Sequence, residues 1–201
     1  MLRDDYQSFA ALRARHTEGS DFDRTVLHRA GSKFAILAPH GGRLENHTDT
    51  IAEHIAGSDF SLYCFRSRLG RGGVNLHITS HRFDDPDCIE LVGKHPSSVA
   101  IHGCAEPGEM VFLGGRDQSL LADLAGSLQK SGLRVQLHGH KYPGLHPDNI
   151  CNRTASGAGV QIELTLALRQ SEAVPEVVSA VRGVLLKCAF ENGGDGLKSN
   201  R

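Results

Sequence analysis

The chain has 201 residues, enough for one substantial domain with its own core. Hydrophobic residues make up 39% and charged residues 22%, and the formal net charge is −1, so no global field favours nucleic acid or an anionic membrane. No apolar run approaches the roughly 20 residues that span a bilayer, and the charged opening "MLRDDYQSFAALRARHTEGSD" lacks the apolar stretch of a secretory leader. These features predict a soluble, cytoplasmic protein folded as one domain over 1–201, with neither nucleic acid nor membrane as partner; a monomer is expected, although none of these features fixes the oligomeric state.

Residues 4–17 place Tyr6, Phe9 and Leu12 at helical spacing, which predicts a surface helix within an N-terminal stretch 1–20. Seven short β-prone runs follow: "FAILAP" (34–39), "DFSLYCF" (59–65), "VNLHITS" (74–80), "SSVAIHGC" (97–104), "MVFLGG" (110–115), "RVQLHG" (134–139) and "VQIELTLALR" (160–169). Several are apolar on consecutive residues, as strands covered on both faces are. Helical patterns alternate with them at 47–57, 84–95, 117–132 and 174–194, the second opening on acidic residues and Pro86. Residues 192–201 are expected to fray. The alternation predicts an α/β fold with a mixed, largely parallel sheet between two helical layers. Cys64, Cys88, Cys104, Cys151 and Cys188 are odd in number, form no CxxC pair and lie mostly in apolar runs, so reduced core thiols are expected.

Polar chemistry collects where strand-like runs end, the position at which open α/β sheets bind ligands. "FAILAP" delivers His40 and, across Gly41 and Gly42, Glu45; "SSVAI" delivers His102; and Glu163 interrupts the apolar "VQIEL". Two imidazoles and one carboxylate with an open fourth position make a catalytic zinc shell, and a further carboxylate can handle the water proton. Each group has an ordinary alternative: His-Gly-Gly as a strand-to-loop turn, His102 as a hydrogen-bonded core histidine, Glu163 on a solvated sheet face. The spacing HxxxxE does not put both groups on one helical face as HExxH does, so spacing alone leaves the readings open. His138 and His140 alternate in "LHGHK" and form a second-choice metal pair without a third ligand nearby.

The ordered blocks "APHGGRLE", "SLYCF", "LHITSHRFDDP", "VAIHGC", "FLGG", "HPDNICNR" and "SGAGVQIELTLALR", spanning about 34–170, resemble the poly-γ-glutamate hydrolases of bacilli and their phages. The resemblance implies a three-layer α/β/α sandwich like that of zinc carboxypeptidases, one Zn2+ per chain, His40, Glu45 and His102 as its ligands, and Glu163 as general acid and base. The partner it implies is an anionic γ-linked glutamate polymer or peptide, whose amide bonds would be hydrolysed by the domain. Asn152 and Arg153 look like the pair that carboxypeptidase-like sites use to hold a substrate carboxylate, with Arg153 also stabilising an oxyanion; guanidinium forks suit both tasks. His77 and Arg82 are candidate substrate contacts, and Arg66, Arg68, Arg71 and Arg82 are either a solvated loop or an electropositive rim. Asp49 lies in "HTDT", a departure from the family's "GTSE"-like stretch, and would cap the next helix or orient His40. Two other readings remain: a zinc amidase or endopeptidase acting on peptidoglycan peptides, since "PHGG" also resembles the start of cell-wall amidases, and a non-catalytic, metal-stabilised binding module.

Overall fold

The structure is a computed structural model that describes residues 4–70 and 75–191. Seven strands form one sheet: β1 (Phe22–Leu27), β2 (Phe34–Gly42), β3 (Ser61–Ser67), β4 (Ser97–Cys104), β5 (Val111–Gly115), β6 (Val135–Gln136) and β7 (Val160–Thr165), in the order β1-β3-β2-β4-β7-β5-β6. Strands β3, β2, β4 and β7 run parallel, β1 and β5 are antiparallel to their inner neighbours, and β6 runs parallel to β5. The helices are α1 (Phe9–Arg13), α2 (Thr48–Ala56), α3 (Pro86–Gly93), α4 (Gln118–Lys130), α5 (Leu166–Arg169) and α6 (Val174–Glu191).

Strand side chains alternate between two cores, which explains the unbroken apolar runs. Phe34, Ile36, Ala38, Ile101, Ile162 and Leu164 pack with α2, α4 and α6, whereas Ala35, Leu37, Tyr63, Phe65 and Ala100 pack with α1 and α3. The result is the expected α/β/α sandwich with a mixed, largely parallel sheet. Cys64, Cys88, Cys104 and Cys151 are buried free thiols, and Cys188 is a half-buried one. No helix is long and apolar enough to cross a membrane among the described residues.

Several boundaries differ from the sequence reading. The N-terminal helix is only five residues long, and it inserts Phe9 and Leu12 into the second core instead of lying on the surface. Residues 75–80 of "VNLHITS" form no strand, because their polar groups bond elsewhere: His77 N–H donates to Asn75 Oδ1, Ile78 O lies 2.8 Å from His40 Nε2, and Ser80 O accepts from Ile150 N. "RVQLHG" supplies only two edge-strand residues, its Leu137 carbonyl lying 3.1 Å from His140 Nε2. β7 stops at Thr165, whose hydroxyl caps α5. Strand β1, with charges inside a β-prone stretch, has no counterpart in the sequence reading. The tail 192–201 and Arg71 lie outside the described residues.

One irregularity decides what the sheet can do. Between Ala38 and Gly41 the pairing with β3 slips: Ala38 faces Cys64 while Gly41 faces Arg66, so β2 carries one extra residue. Such a bulge reverses the facing of everything beyond it. Without it, His40 would follow Ile36 and Ala38 toward α2. With it, His40 lies against the opposite core, its ring 6.1 Å from that of Phe83. Gly42 closes the bulge at φ +66°, where an added Cβ would sit 2.4 Å from Ser67 O. Gly42→Ala is therefore expected to lose about 2–4 kcal/mol of stability through combined strain and backbone collision, read from the urea midpoint.

Candidate metal centre

The parallel strands β2, β4 and β7 end side by side and carry the polar groups to one place. His102 and Glu163 are paired in register on β4 and β7. Both lie on the face of Ala100, opposite Ile101, Ile162 and Leu164. Beyond β2 the chain turns back so that Glu45 N–H donates to His40 O at 2.9 Å, and Thr48 Oγ1 holds Glu45 O at 2.8 Å. His40, Glu45, His102 and Glu163 are all buried, between 2% and 8% exposed.

Three of them converge. His40 Nδ1 lies 3.2 Å from His102 Nδ1 and 3.2 Å from Glu45 Oε1, and His102 Nδ1 lies 3.7 Å from Glu45 Oε2. Donors on a tetrahedral zinc at ordinary bond lengths sit roughly 3.3–3.6 Å apart. Glu45 Oε2 also accepts from Gly103 N–H at 2.8 Å. The far nitrogen of His102, Nε2, is buried without a hydrogen-bond partner, so the protein alone does not satisfy this imidazole. Two nitrogens facing each other beside a dehydrated carboxylate fit a cation, and the arrangement can hold a metal ion.

The electrostatics separate the two carboxylates. Burial by itself would raise the Glu45 pKa, but the charge of His40 and hydrogen bonds from His102 and His40 hold it well below the carboxylate range. Glu163 lacks such compensation: burial, with Glu45 and Glu106 nearby, pushes it up to about 7 against the opposing pull of His102 and Arg169. Burial lowers the basicity of His102, yet Glu45 and Glu163 together leave it raised. Glu106 is itself drawn down to about 2: Lys141 and Tyr142 bond to it and outweigh the desolvation that opposes the shift.

A third imidazole adjoins the cluster. His77 lies against His40 with ring centroids 4.1 Å apart and the planes tilted by 37°, and His40, Glu45 and His77 each offer a ligand atom within 4.8 Å of the others. His77 Nδ1, however, is 2.6 Å from Asp4 Oδ1, whereas His102 Nδ1 faces His40 and Glu45 at shorter range. Burial first, then His40, lowers the His77 pKa to about 4 despite Glu45 and Asp4.

Other expected groups are occupied elsewhere. Asn152 is buried with its amide given to the loop: Nδ2 donates to Gly144 O and His146 O, and Oδ1 accepts from Gly159 N. It fixes the segment that carries Arg153 and has no amide donor left over for a substrate. Arg153 Nε donates to Asp148 O and Nη2 approaches His81 O at 3.4 Å, which sets the half-buried Arg153 against the segment that carries His81. Asp49 neither caps α2, whose N-cap is His47, nor contacts His40; it pairs with Arg66 at 2.9 Å. Arg68 pairs with Asp23 and Arg82 with Asp4, so the described arginines of 65–82 are matched by acids and form no free positive rim. His140 is tied to Leu113 O, Leu137 O and Tyr142 N, and among the described residues the pair with His138 gathers no third ligand.

Arg169 has no place in the sequence reading. It is buried, its Nε donates to Leu164 O at 3.1 Å and its Nη1 donates to Asn46 O. Its guanidinium covers Gly103 so closely that an added Cβ there would lie 2.6 Å from Cζ. The clue was an arginine closing the apolar run "VQIELTLALR".

The raised Glu163 pKa has a testable sign. The folded protein binds this proton more tightly than the unfolded chain, whose carboxyl titrates near 4.5. Stability from this group is complete below that pH, declines as pH rises to about 7 and is then constant, a loss on the order of a few kcal/mol. In chelator-treated protein, Glu163→Gln should flatten the decline between pH 5 and 8 that denaturant titration shows for the wild type.

Comparison with known proteins agrees with this architecture. The family model for poly-γ-glutamate hydrolase matches residues 6–172. UPF0714 protein YndL of Bacillus subtilis (strain 168) is 34% identical over 170 residues, covering 84% of this chain and 66% of its own length. The chain thus spans just under two thirds of that relative. The structure of a bacteriophage poly-γ-glutamate hydrolase superposes with a TM-score of 0.88 at 26% identity, covering 94% of this chain and all of the phage chain. A zinc-free apo structure of YndL superposes with a TM-score of 0.81 at 28% identity, covering 96% and 100%. The chain belongs to the poly-γ-glutamate hydrolase family.

Proposed function

We propose that this family member is a zinc-dependent hydrolase that cleaves the γ-glutamyl amide bonds of poly-γ-glutamate, acting as a monomer with one catalytic domain across the chain. The observation that carries the reading is the meeting of His40 Nδ1, His102 Nδ1 and the Glu45 carboxylate at 3.2–3.7 Å, with Glu163 in register beside His102. In this reading His40, Glu45 and His102 hold one zinc ion. When bound, the ion supplies Lewis acidity, lowering the pKa of water toward about 7 and polarising the scissile carbonyl.

The chain's own groups do the rest. Glu45 brings negative charge that Gly103 N–H orients. Glu163 accepts the proton of the attacking water and returns it to the departing nitrogen; its displacement toward neutrality suits a group that must work in both directions. Arg153 anchors a free α-carboxylate of the polymer or meets the developing oxyanion, on a loop that Asn152 keeps in place. His77 and Arg82 lie on the segment adjoining the centre and contact a further substrate carboxylate.

Elemental analysis checks the ligand set. The wild type should carry about one zinc per chain; His40→Ala and His102→Ala should lose it, and His77→Ala should keep it. Retention in the first two variants would remove the basis for the centre. For turnover, Glu163→Gln should bind zinc normally yet lower kcat on purified poly-γ-glutamate by about 10³-fold. A binding module would be indifferent to that change, and a cell-wall amidase would turn over peptidoglycan in place of the polymer.

A further inference from the structure

Two groups assigned above to substrate are already bridged by a carboxylate of the chain itself. Asp4 Oδ1 lies 2.6 Å from His77 Nδ1, and Asp4 Oδ2 lies 2.5 Å from Arg82 Nη2. Gln7 Oε1 accepts from Arg82 Nη1, and Arg82 Nε is buried with no acceptor. The fork therefore retains a donor that its present partners do not satisfy. Because the His77 ring lies 4.1 Å from that of His40, the bridging carboxylate sits one side chain away from the candidate metal centre.

The way the segment is anchored matters. Tyr6 and Phe9 are buried in the second core, and Phe9 N–H donates to Asp84 Oδ1 at 2.5 Å. Asp4 lies before these anchors and is held by charged and polar contacts, its side chain 11% exposed. An incoming carboxylate would make the same bonds to His77 and Arg82, so the exchange conserves hydrogen bonding. A neutral group in its place would leave a guanidinium unpaired.

We propose that His77 and Arg82 form a carboxylate subsite which Asp4 fills in the free protein and a substrate carboxylate takes over on binding. This rests on the reading of the substrate as a polyanion with a carboxylate on every unit. Asp4 competes at high effective concentration, so a lone small carboxylate displaces it poorly. A polymer that gains contacts elsewhere displaces it well. The subsite thereby discriminates chains from single units.

The test compares wild type with Asp4→Asn and Asp4→Ala, using glutarate as a probe by calorimetry on metal-free protein and poly-γ-glutamate in steady-state kinetics on zinc-loaded protein. Removing the competitor should tighten glutarate binding and lower KM, each by about threefold or more, with kcat changed less than about twofold. Adding Arg82→Gln to Asp4→Asn should abolish the gain. Unchanged or weaker glutarate binding in both Asp4 variants overturns the proposal, as does loss of their fold by circular dichroism, which would make Asp4 a structural prop. If the variants gain glutarate affinity while the wild type leaves the polymer intact, the subsite stands and the polymer reading fails.

Discussion

A carboxylate removed from water must be met by positive charge or hydrogen-bond donors, and the Glu45 side chain imposes that demand on the centre of this fold. The response is local and complete in direction: a backbone N–H from β4, an imidazole from β2 and another from β4 all turn toward it. All of these donors come from strands β2 and β4. They require that two parallel strands end together and that the chain after β2 fold back within five residues. The sheet order, the bulge and the glycines at 41, 42 and 103 are all consistent with that single requirement.

The contrast with Glu163 shows what the surroundings accomplish. Both carboxyls are buried to nearly the same extent, at 7% and 8% exposure. One is surrounded by donors and stays anionic, while the other adjoins two further acids and is pushed toward neutrality. Environments that drive two like groups apart in this way are how a site divides charge binding from proton transfer. Arg169 moderates the second group while roofing Gly103, so packing and electrostatics are joined in one buried side chain.

The α/β/α layering was legible because helical and strand periodicities alternate cleanly, and doubly covered strands read as solid apolar runs. His40, Glu45, His102 and Glu163 were legible as polar residues that an apolar strand has no reason to contain. What the sequence hid depends on contacts between distant segments. Asn152 and Asp49 were chemically suited to the centre, but their amide and carboxylate are taken by a loop and by Arg66. Residues 75–80 look like a strand by composition, yet their carbonyls and N–H groups bond outside the sheet. The arginines of 65–82 seemed an electropositive rim because their acidic partners lie in other elements: Asp49 and Glu53 on α2 for Arg66, and Asp23 and Asp4, 45 and 78 residues away, for Arg68 and Arg82. Asp4 itself carries no local signal at all.

The extra residue in β2 has a consequence for how this fold can vary. Facing along a strand is a matter of parity, and parity answers to the number of residues, not their kind. Deleting Gly41 would set His40 opposite Arg66 in regular pairing and swing the imidazole into the hydrocarbon layer beneath α2, whereas deleting Pro39 would remove the bulge and keep the imidazole on its present side. The length of this short stretch and the position of its extra residue thus decide which layer the imidazole meets, before the chemistry of the ring enters at all.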